Sequence, residues 1–200
     1  KLNESTGDLI WARSYPSEIK NKESAIEAII RSADNAILVA GVINADKGTL
    51  EGFKSYGNPV SGDAFVMYFS ENQVTSKVAP ESPIWSLKIK DALAVKHLEE
   101  LPSGEGFLLA MHGDDEFLTA KVMKISFDGR PIWELDVPNH GELTAIKVTK
   151  NGYFLSGHKA DRFDGIDASI SKISLNGEFL WNKSFGNPMG GELIFSGLDE

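Results

Sequence analysis

The stretch GEFLW at residues 177–181 recurs along the chain as GRPIW at 129–133, SPIW at 82–85 and GDLIW at 7–11, and it ends each time on a tryptophan. Trp85, Trp133 and Trp181 stand 48 residues apart, whereas Trp11 and Trp85 are separated by 74. A repeat of about 40 to 50 residues that contains several short strands is typical of β-propellers, whose blades are four-stranded sheets. The recurring tryptophan therefore predicts a repeat protein of the all-β class.

The unit between Trp133 and Trp181 shows how one repeat should fold. Its segments ELTAIKV (142–148), YFLSG (153–157) and ASISKISL (168–175) read as strands, and Asn-Gly turns follow the first and the third of them. A fourth strand carries the tryptophan, around which apolar and polar side chains alternate. Four strands joined by hairpins predict one antiparallel blade for each repeat of about 48 residues.

The register of the repeat also predicts the boundaries of the blades. We expect part of one β-propeller over residues 1–200, with a partial blade at 1–15, blades at about 16–89, 90–137 and 138–185, and a second partial blade at 186–200. Since propellers close with about 4 to 8 blades, this register favours a section of a longer propeller. A closed four-bladed ring is the alternative, and in it the first and last segments would share one blade.

The composition narrows the classes of partner. The net charge is −9, and Lys and Arg are scattered singly, which argues against binding to nucleic acid through its phosphates. The chain has no cysteine, so disulfides, thiolate metal sites and CxxC redox pairs are excluded from it. No apolar run reaches the roughly 20 residues that a membrane-spanning helix needs.

An acidic residue precedes the first strand of every unit; these residues are Glu23, Asp91, Glu142 and Glu192. Since first strands line the central channel of a propeller, we expect the four carboxylates near one mouth of that channel. A negatively charged mouth would bind a cation or a polyhydroxylated ligand, and the crowded like charges would raise the carboxylate pKa values. The alternative is that each carboxylate caps a turn at a blade junction.

The loops between second and third strands are also acidic, and Asp161, Asp164 and Asp167 make up the acidic group in the last of them. Carboxylate oxygens close together suit calcium, although the spacing is not that of an EF-hand loop, and no other cofactor is expected. The alternative is a turn-capping role, because Asp167 aligns with Asp63.

Two histidines, His112 and His158, end the second strands of neighbouring units. A pair of histidines suggests zinc. Equivalent positions in adjacent blades should diverge away from the axis, however. We therefore expect solvated or turn-bound histidines that do not share a metal ion.

Several segments resemble the repeat of a known family. Residues 167–181 (DASISKISLNGEFLW) and 124–133 (KISFDGRPIW) resemble the repeat of bacterial and archaeal quinoprotein-like (PQQ-like) propellers, and NGYFLSG at 151–157 resembles its second strand. The resemblance covers nearly the whole chain. Members of this family are commonly secreted or surface-attached, which implies a secreted, periplasmic or cell-surface protein. KLNESTGDLIW at 1–11 also looks like one repeat of pyrroloquinoline-quinone-type propellers, but the absence of vicinal cysteines disfavours a quinone-dependent dehydrogenase.

No catalytic motif accompanies the repeat. The chain lacks a GxSxG nucleophile elbow, and no residue is assigned a catalytic role. We therefore expect a non-catalytic scaffold or binding module that recognises a protein or carbohydrate partner through its loop face, where the loop at 44–61 is long and polar. The alternative is a propeller hydrolase, lyase or quinone-type dehydrogenase that uses the channel-mouth carboxylates Asp91, Glu142 or Glu192.

Overall fold

The computed structural model describes residues 1–3, 5–14, 19–46, 61–113, 119–138, 140–161 and 165–186, and the strands in these ranges form three four-stranded sheets. Sheet 1 consists of β1 (Lys22–Arg31), β2 (Ile37–Asp46), β3 (Asp63–Phe69) and β4 (Trp85–Ile89). Sheet 2 consists of β5 (Ala92–Glu100), β6 (Phe107–Gly113), β7 (Ala120–Ile125) and β8 (Pro131–Asp136). Sheet 3 consists of β9 (Leu143–Thr149), β10 (Gly152–Asp161), β11 (Gly165–Ile173) and β12 (Phe179–Phe185). A short helix α1 (Glu71–Thr75) precedes β4, and a 3-10 turn (Pro102–Gly104) follows β5.

Each strand pairs antiparallel with the next strand of its sheet, so every sheet is a simple meander. This confirms the prediction of an all-β chain built from four-stranded antiparallel units, and the three sheets are of roughly similar size. The sheets are consistent with propeller blades, although no ring closure is seen among the described residues. Closure and the number of blades stay predictions. In the first predicted partial blade, an isolated bridge joins Leu2 and Leu9, and most of the last one lies outside the described residues.

One turn geometry closes both the β7–β8 and the β11–β12 hairpin. In the first hairpin, Ser126 N–H donates to the Arg130 carbonyl at 2.9 Å and Gly129 N–H donates to the Ser126 carbonyl at 3.0 Å. In the second, Ser174 and Gly177 make the matching bonds, at 2.8 and 3.1 Å. The two glycines have φ of 79° and 83°, a left-handed conformation that residues with a Cβ avoid. The sequence repeat is thus also a repeat of hydrogen bonds.

Two apolar cores lie between successive sheets. The core between sheets 1 and 2 includes the buried side chains Leu38, Val66, Leu109 and Met111. The core between sheets 2 and 3 includes Leu108, Val122, Leu143, Leu155 and Ile173. The first strand of sheet 2, β5, contacts both β1 and β9, which are the first strands of sheets 1 and 3. The sheets therefore pack face to face in chain order with their inner strands, β1, β5 and β9, adjacent.

The recurring tryptophans connect each sheet to the next one. Trp85 on β4 donates its Nε1–H to the Phe127 carbonyl of sheet 2 at 3.1 Å, and its ring lies against Gly129. Trp133 on β8 lies against Gly177 of sheet 3 in the same way. At both junctions a tryptophan ring thus packs on the glycine in the last turn of the next sheet.

Candidate functional site

Each inner strand carries a bulge at the same place. The register of β1 against β2 skips Glu27, that of β5 against β6 skips Lys96, and that of β9 against β10 skips Thr144. The paired residues on either side correspond, so these three bulge residues are equivalent. A bulge releases one residue from the ladder and re-aims its side chain, and bulges are frequent beside functional sites. Every repeat therefore places one polar side chain at the same point of its inner strand.

The bulge residues link the sheets. Lys96 Nζ lies 3.1 Å from Glu27 Oε2, and both side chains are mostly buried between sheets 1 and 2. Burial lowers the pKa of the neighbouring His97, while a hydrogen bond with the backbone of Thr144 opposes that shift. Polar contacts at the bulges thus extend across all three sheets.

The carboxylate of Glu142 lies between two buried imidazoles. Its Oε1 is 3.7 Å from His112 Nε2, and its Oε2 is 3.5 Å from His158 Nε2. The two histidine side chains are 3% and 5% exposed, whereas that of Glu142 is 35% exposed. Glu142 directly precedes β9, and the histidines lie on β6 and β10. A carboxylate that a ligand can reach is thus backed by histidines from two different sheets.

The expectation that His112 and His158 diverge and are solvated or turn-bound was wrong. β9 pairs with β10 and also packs beside β6, so the residue before β9 lies close to the ends of both second strands. Both histidines are buried there beside one carboxylate. In the part of the chain that the structure describes, no group of three or more His, Asp or Glu side chains is arranged to hold a metal ion.

Burial sets the protonation states of this cluster. Burial lowers the pKa of His112 to about 3, and the charge of Lys96 adds to that shift. His112 is therefore uncharged at neutral pH, and its buried Nε2 makes no hydrogen bond to any described residue. Burial raises the pKa of Glu142; Lys96 opposes this shift and Glu27 reinforces it. Neutral imidazole, ammonium and carboxylate groups from the two sheet junctions are thus close enough to influence one another's pKa values.

Backbone contacts fix the place of Glu142. His158 N–H donates to the Glu142 carbonyl at 3.0 Å, and Gly157 lies so close to this carbonyl that a Cβ there would overlap it. Two residues before Glu142, the ring nitrogens of His140 lie 3.1 and 3.2 Å from Ser169 Oγ. Burial lowers the pKa of His140 to about 4, so this ring is neutral as well. These contacts fix the backbone of Glu142, and the hydrogen bond between His140 and Ser169 holds the segment directly before it.

The predicted channel-mouth carboxylates lie in different surroundings. Glu23 is the second residue of β1, and Asp91 lies in the turn before β5 with φ of 56°. Glu142 lies beside His112 and His158, as described above, while Glu192 lies outside the described residues. Their joint position at the mouth of a channel stays a prediction.

The predicted calcium ligands lie around the β10–β11 connection. Asp161 ends β10, and only its backbone is described. Asp164 lies outside the described residues, and Asp167 pairs with Lys159 near the start of β11. The calcium site therefore stays a prediction.

The pair Lys96 and Glu27 was not among the residues predicted to form a site. A signal for it is present, because each is a charged residue inside an otherwise apolar first strand, in AIEAII at 25–30 and ALAVKHL at 92–98. A charge in such a run is expensive to bury unless it is paired. A charged residue at the same position of two apolar first strands therefore indicates a site.

No helix in the described part of the chain is long and apolar enough to cross a membrane. No known protein-family model matches the chain, and a comparison with curated proteins gives no match either.

Proposed function

We propose that this chain is a non-catalytic binding module of the quinoprotein-like propeller kind, and that its ligand is polyhydroxylated, as carbohydrates are. The ligand contacts the polar cluster, which we define as Glu27, Lys96, His112, Glu142 and His158. The resemblance to quinoprotein-like repeats supports a place outside the cytoplasm, as a secreted, periplasmic or cell-surface protein.

A comparison of the two sheet junctions carries this proposal. At the junction of sheets 1 and 2, the positions equivalent to His112 and Glu142 hold Val42 and Ala94, which belong to a small apolar cluster. The repeat therefore packs well without polar groups at this place. At the junction of sheets 2 and 3 the same positions hold buried histidine and a partly exposed carboxylate, a costly arrangement that packing does not require.

The charges of the cluster favour a neutral ligand. Glu142 and Glu27 disfavour an anion, and the ammonium of Lys96 disfavours a cation. Hydroxyl groups can donate to the carboxylate and accept from an ammonium or an imidazole N–H. A sugar presents several such groups at once, and a carboxylate held by buried neighbours recognises them with little loss of side-chain freedom.

The location fits the predicted loop face. The strands β2, β6 and β10 all run towards the end of their sheet at which Glu142 lies, and the loops between second and third strands begin there. Most of the long loop at 44–61 lies outside the described residues. The polar cluster would form the base of the binding site, and these loops directly follow the strands that carry its histidines.

A glycan array followed by titration calorimetry tests the proposal. We expect the wild-type chain to retain a defined class of neutral glycans, and Glu142→Gln to lose them. Hydrogen bonds to charged groups contribute about 1.5–3 kcal/mol, so affinity should fall about 10- to 150-fold. Glu178→Gln is the control, because Glu178 is exposed in the β11–β12 turn away from the cluster.

Two results would contradict the proposal. Retention of no glycan at all, together with capture of a protein partner that Glu142→Gln abolishes, would replace the carbohydrate by a protein ligand. Equal affinities of wild type and Glu142→Gln would remove the cluster from the binding site.

A second function is favoured by one observation, the raised pKa of Glu142 beside imidazole groups. A carboxylic acid of raised pKa within reach of a second acid or base is the arrangement that general acid–base catalysis uses. A propeller hydrolase or lyase would release reducing sugar from one of the retained glycans. Product release that Glu142→Gln stops while glycan binding persists would establish this alternative.

A further inference from the structure

A pocket of about 600 Å³ lies between sheets 2 and 3, at the far end of β9 from Glu142. The β5–β6 connection forms one wall of this pocket, and the β9–β10 turn forms the other. Its volume falls within the range of about 300–1,000 Å³ that is common for small-molecule sites. Every connection between the strands of one sheet at this end lies within the described residues. The lining residues are therefore all part of the described chain.

The junction of sheets 1 and 2 has a hydrogen bond where the junction of sheets 2 and 3 has the pocket. At the first junction, Glu100 Oε2 accepts from Ala33 N–H at 2.7 Å. The strand registers and the turn hydrogen bonds make Val148 equivalent to Glu100, and Pro102 equivalent to Ala33. The valine side chain has no acceptor and proline has no N–H, so this bond cannot form between sheets 2 and 3. Two apolar side chains take its place.

An aromatic ring fills the first junction further. Phe127, in the β7–β8 turn, packs edge-on against Phe107 with ring centroids 4.8 Å apart, and it contacts the core between sheets 1 and 2. The equivalent residues in sheet 3 are Leu175 and Tyr153. Leu175 has a smaller side chain than phenylalanine and is exposed, and it lines the pocket together with the buried Tyr153. The pocket is thus open because the second junction lacks both the hydrogen bond and the phenyl ring of the first.

The lining of the pocket combines apolar walls with one uncompensated positive charge. Its charged residues are Glu105 and Lys150. Lys124 Nζ lies 2.7 Å from Glu105 Oε2 and compensates the charge of that carboxylate. The exposed Lys150 forms no ion pair with a described residue, and the side-chain amide of the adjacent Asn151 adds a hydrogen-bond donor to the lining. The apolar residues of the lining are Leu101, Pro102, Val148, Tyr153 and Leu175.

We propose that this pocket binds a small carboxylic acid with an apolar body, as medium-chain alkanoates have. The alkyl chain lies against the apolar lining, where burial of each methylene group is favourable. The carboxylate contacts the ammonium of Lys150 and the amide of Asn151, and a hydrogen bond between charged groups is stronger than one between neutral groups. Because the pocket and the polar cluster lie at opposite ends of the sheets, this site is separate from the proposed glycan site.

NMR titration of the ¹⁵N-labelled chain with monomeric butyrate, hexanoate and octanoate tests the proposal. We expect the amide signals of residues 101–105 and 148–151 to shift on addition of octanoate. Affinity should rise about fourfold for each methylene group that enters the pocket. An affinity that does not depend on chain length would reduce the contact to an ionic one at the surface and would overturn the proposal.

Replacement of Lys150 tests the place of the carboxylate. Lys150→Gln should weaken octanoate binding about two- to fivefold, as expected for an exposed ion pair, and should leave the affinity for uncharged 1-octanol unchanged. Lys90→Gln is the matched control, because Lys90 is exposed in the turn before β5, at the other end of the sheets. Equal octanoate affinities of Lys150→Gln and wild type would remove Lys150 from the site.

Replacement of Leu175 tests the place of the alkyl chain. Leu175→Phe introduces the residue that sheet 2 has at the equivalent position 127, so the fold should be retained and the ring should fill the pocket. We expect it to abolish octanoate binding, and circular dichroism checks folding. If this variant does not fold, Val148→Glu introduces the residue of the first junction and should abolish binding as well. Shifts confined to other parts of the chain, or undiminished binding to the folded variant, would overturn the proposal.

Discussion

Replacement of Gly129 by alanine should weaken the interface between sheets 1 and 2 through two separable effects. Gly129 has φ of 79°, and a residue with a Cβ in this conformation costs about 1 to 2 kcal/mol. The new Cβ would lie 2.7 Å from Cε3 and 2.9 Å from Cδ2 of the Trp85 ring. Overpacking of this kind costs about 1 to 3 kcal/mol. We expect the free energy of unfolding to fall by about 2 to 5 kcal/mol in total.

Urea denaturation followed by tryptophan fluorescence measures this change. The matched control is Gly104→Ala in the same sheet. Gly104 has φ of 75°, but the atom nearest to its added Cβ, Phe127 Cε2, is 3.9 Å away, an ordinary contact distance. The control therefore carries the backbone cost without the overlap. Gly129→Ala should lower the free energy of unfolding by about 1 to 3 kcal/mol more than Gly104→Ala does.

Equal losses for the two variants would refute the reasoning, because they would show that the Trp85 ring moves aside at no cost. A double-mutant cycle isolates the contact further. In the background Trp85→Leu the ring is gone, so the additional loss from Gly129→Ala should shrink towards that of the Gly104→Ala control.

Three further predictions concern the indole hydrogen bond and the two titrating groups. Trp85→Phe removes the hydrogen bond from the indole N–H to the Phe127 carbonyl, whereas Trp133 Nε1–H has no partner among the described residues. Thermal unfolding should therefore show that Trp85→Phe lowers the free energy of unfolding by about 1 kcal/mol more than Trp133→Phe does. Indistinguishable losses would mean that this bond adds nothing to stability. Because the pKa of His112 is lowered from 6.5 to about 3, the unfolded chain takes up a proton at a higher pH than the folded chain does. The free energy of unfolding should therefore fall from pH 6.5 downward by up to about 1.4 kcal/mol per pH unit. In urea titrations His112→Asn should flatten this slope. An unchanged slope would exclude His112 as its source. Because the pKa of Glu142 is raised above 4.5, the wild type should lose stability relative to Glu142→Gln as the pH rises past 4.5, and a difference that does not vary with pH would contradict the raised pKa.

The four-stranded sheets could be predicted from the sequence because their signals are local. Alternation within 142–148 and 168–175, Asp-Gly or Asn-Gly in the turns, and a tryptophan at fixed spacing all act over a few residues. The pairing of these segments with their chain neighbours then follows from short connections. Ring closure is a property of the relation between distant sheets, and no local pattern determines it.

The polar cluster could be predicted only in part, because its members meet across sheets. Glu142 was picked out as one of a set of acidic residues, but its neighbours in space are His112 and His158 rather than the other carboxylates. The expectation that the histidines diverge ignored how closely β9 packs beside β6. Lys96 stands out in the sequence as a charge within an apolar run, but such a charge does not by itself show that a bulge releases the residue from the ladder.

The bulge on each inner strand lets this repeat vary its chemistry without loss of its core. A residue outside the ladder fills no pairing position, so Glu27, Lys96 and Thr144 can differ in charge and size while the residues beside them keep one packing pattern. After duplication of such a unit, each copy can acquire its own bulge residue by point mutation. Recognition and stability are then under separate selection, and a new specificity can arise one repeat at a time.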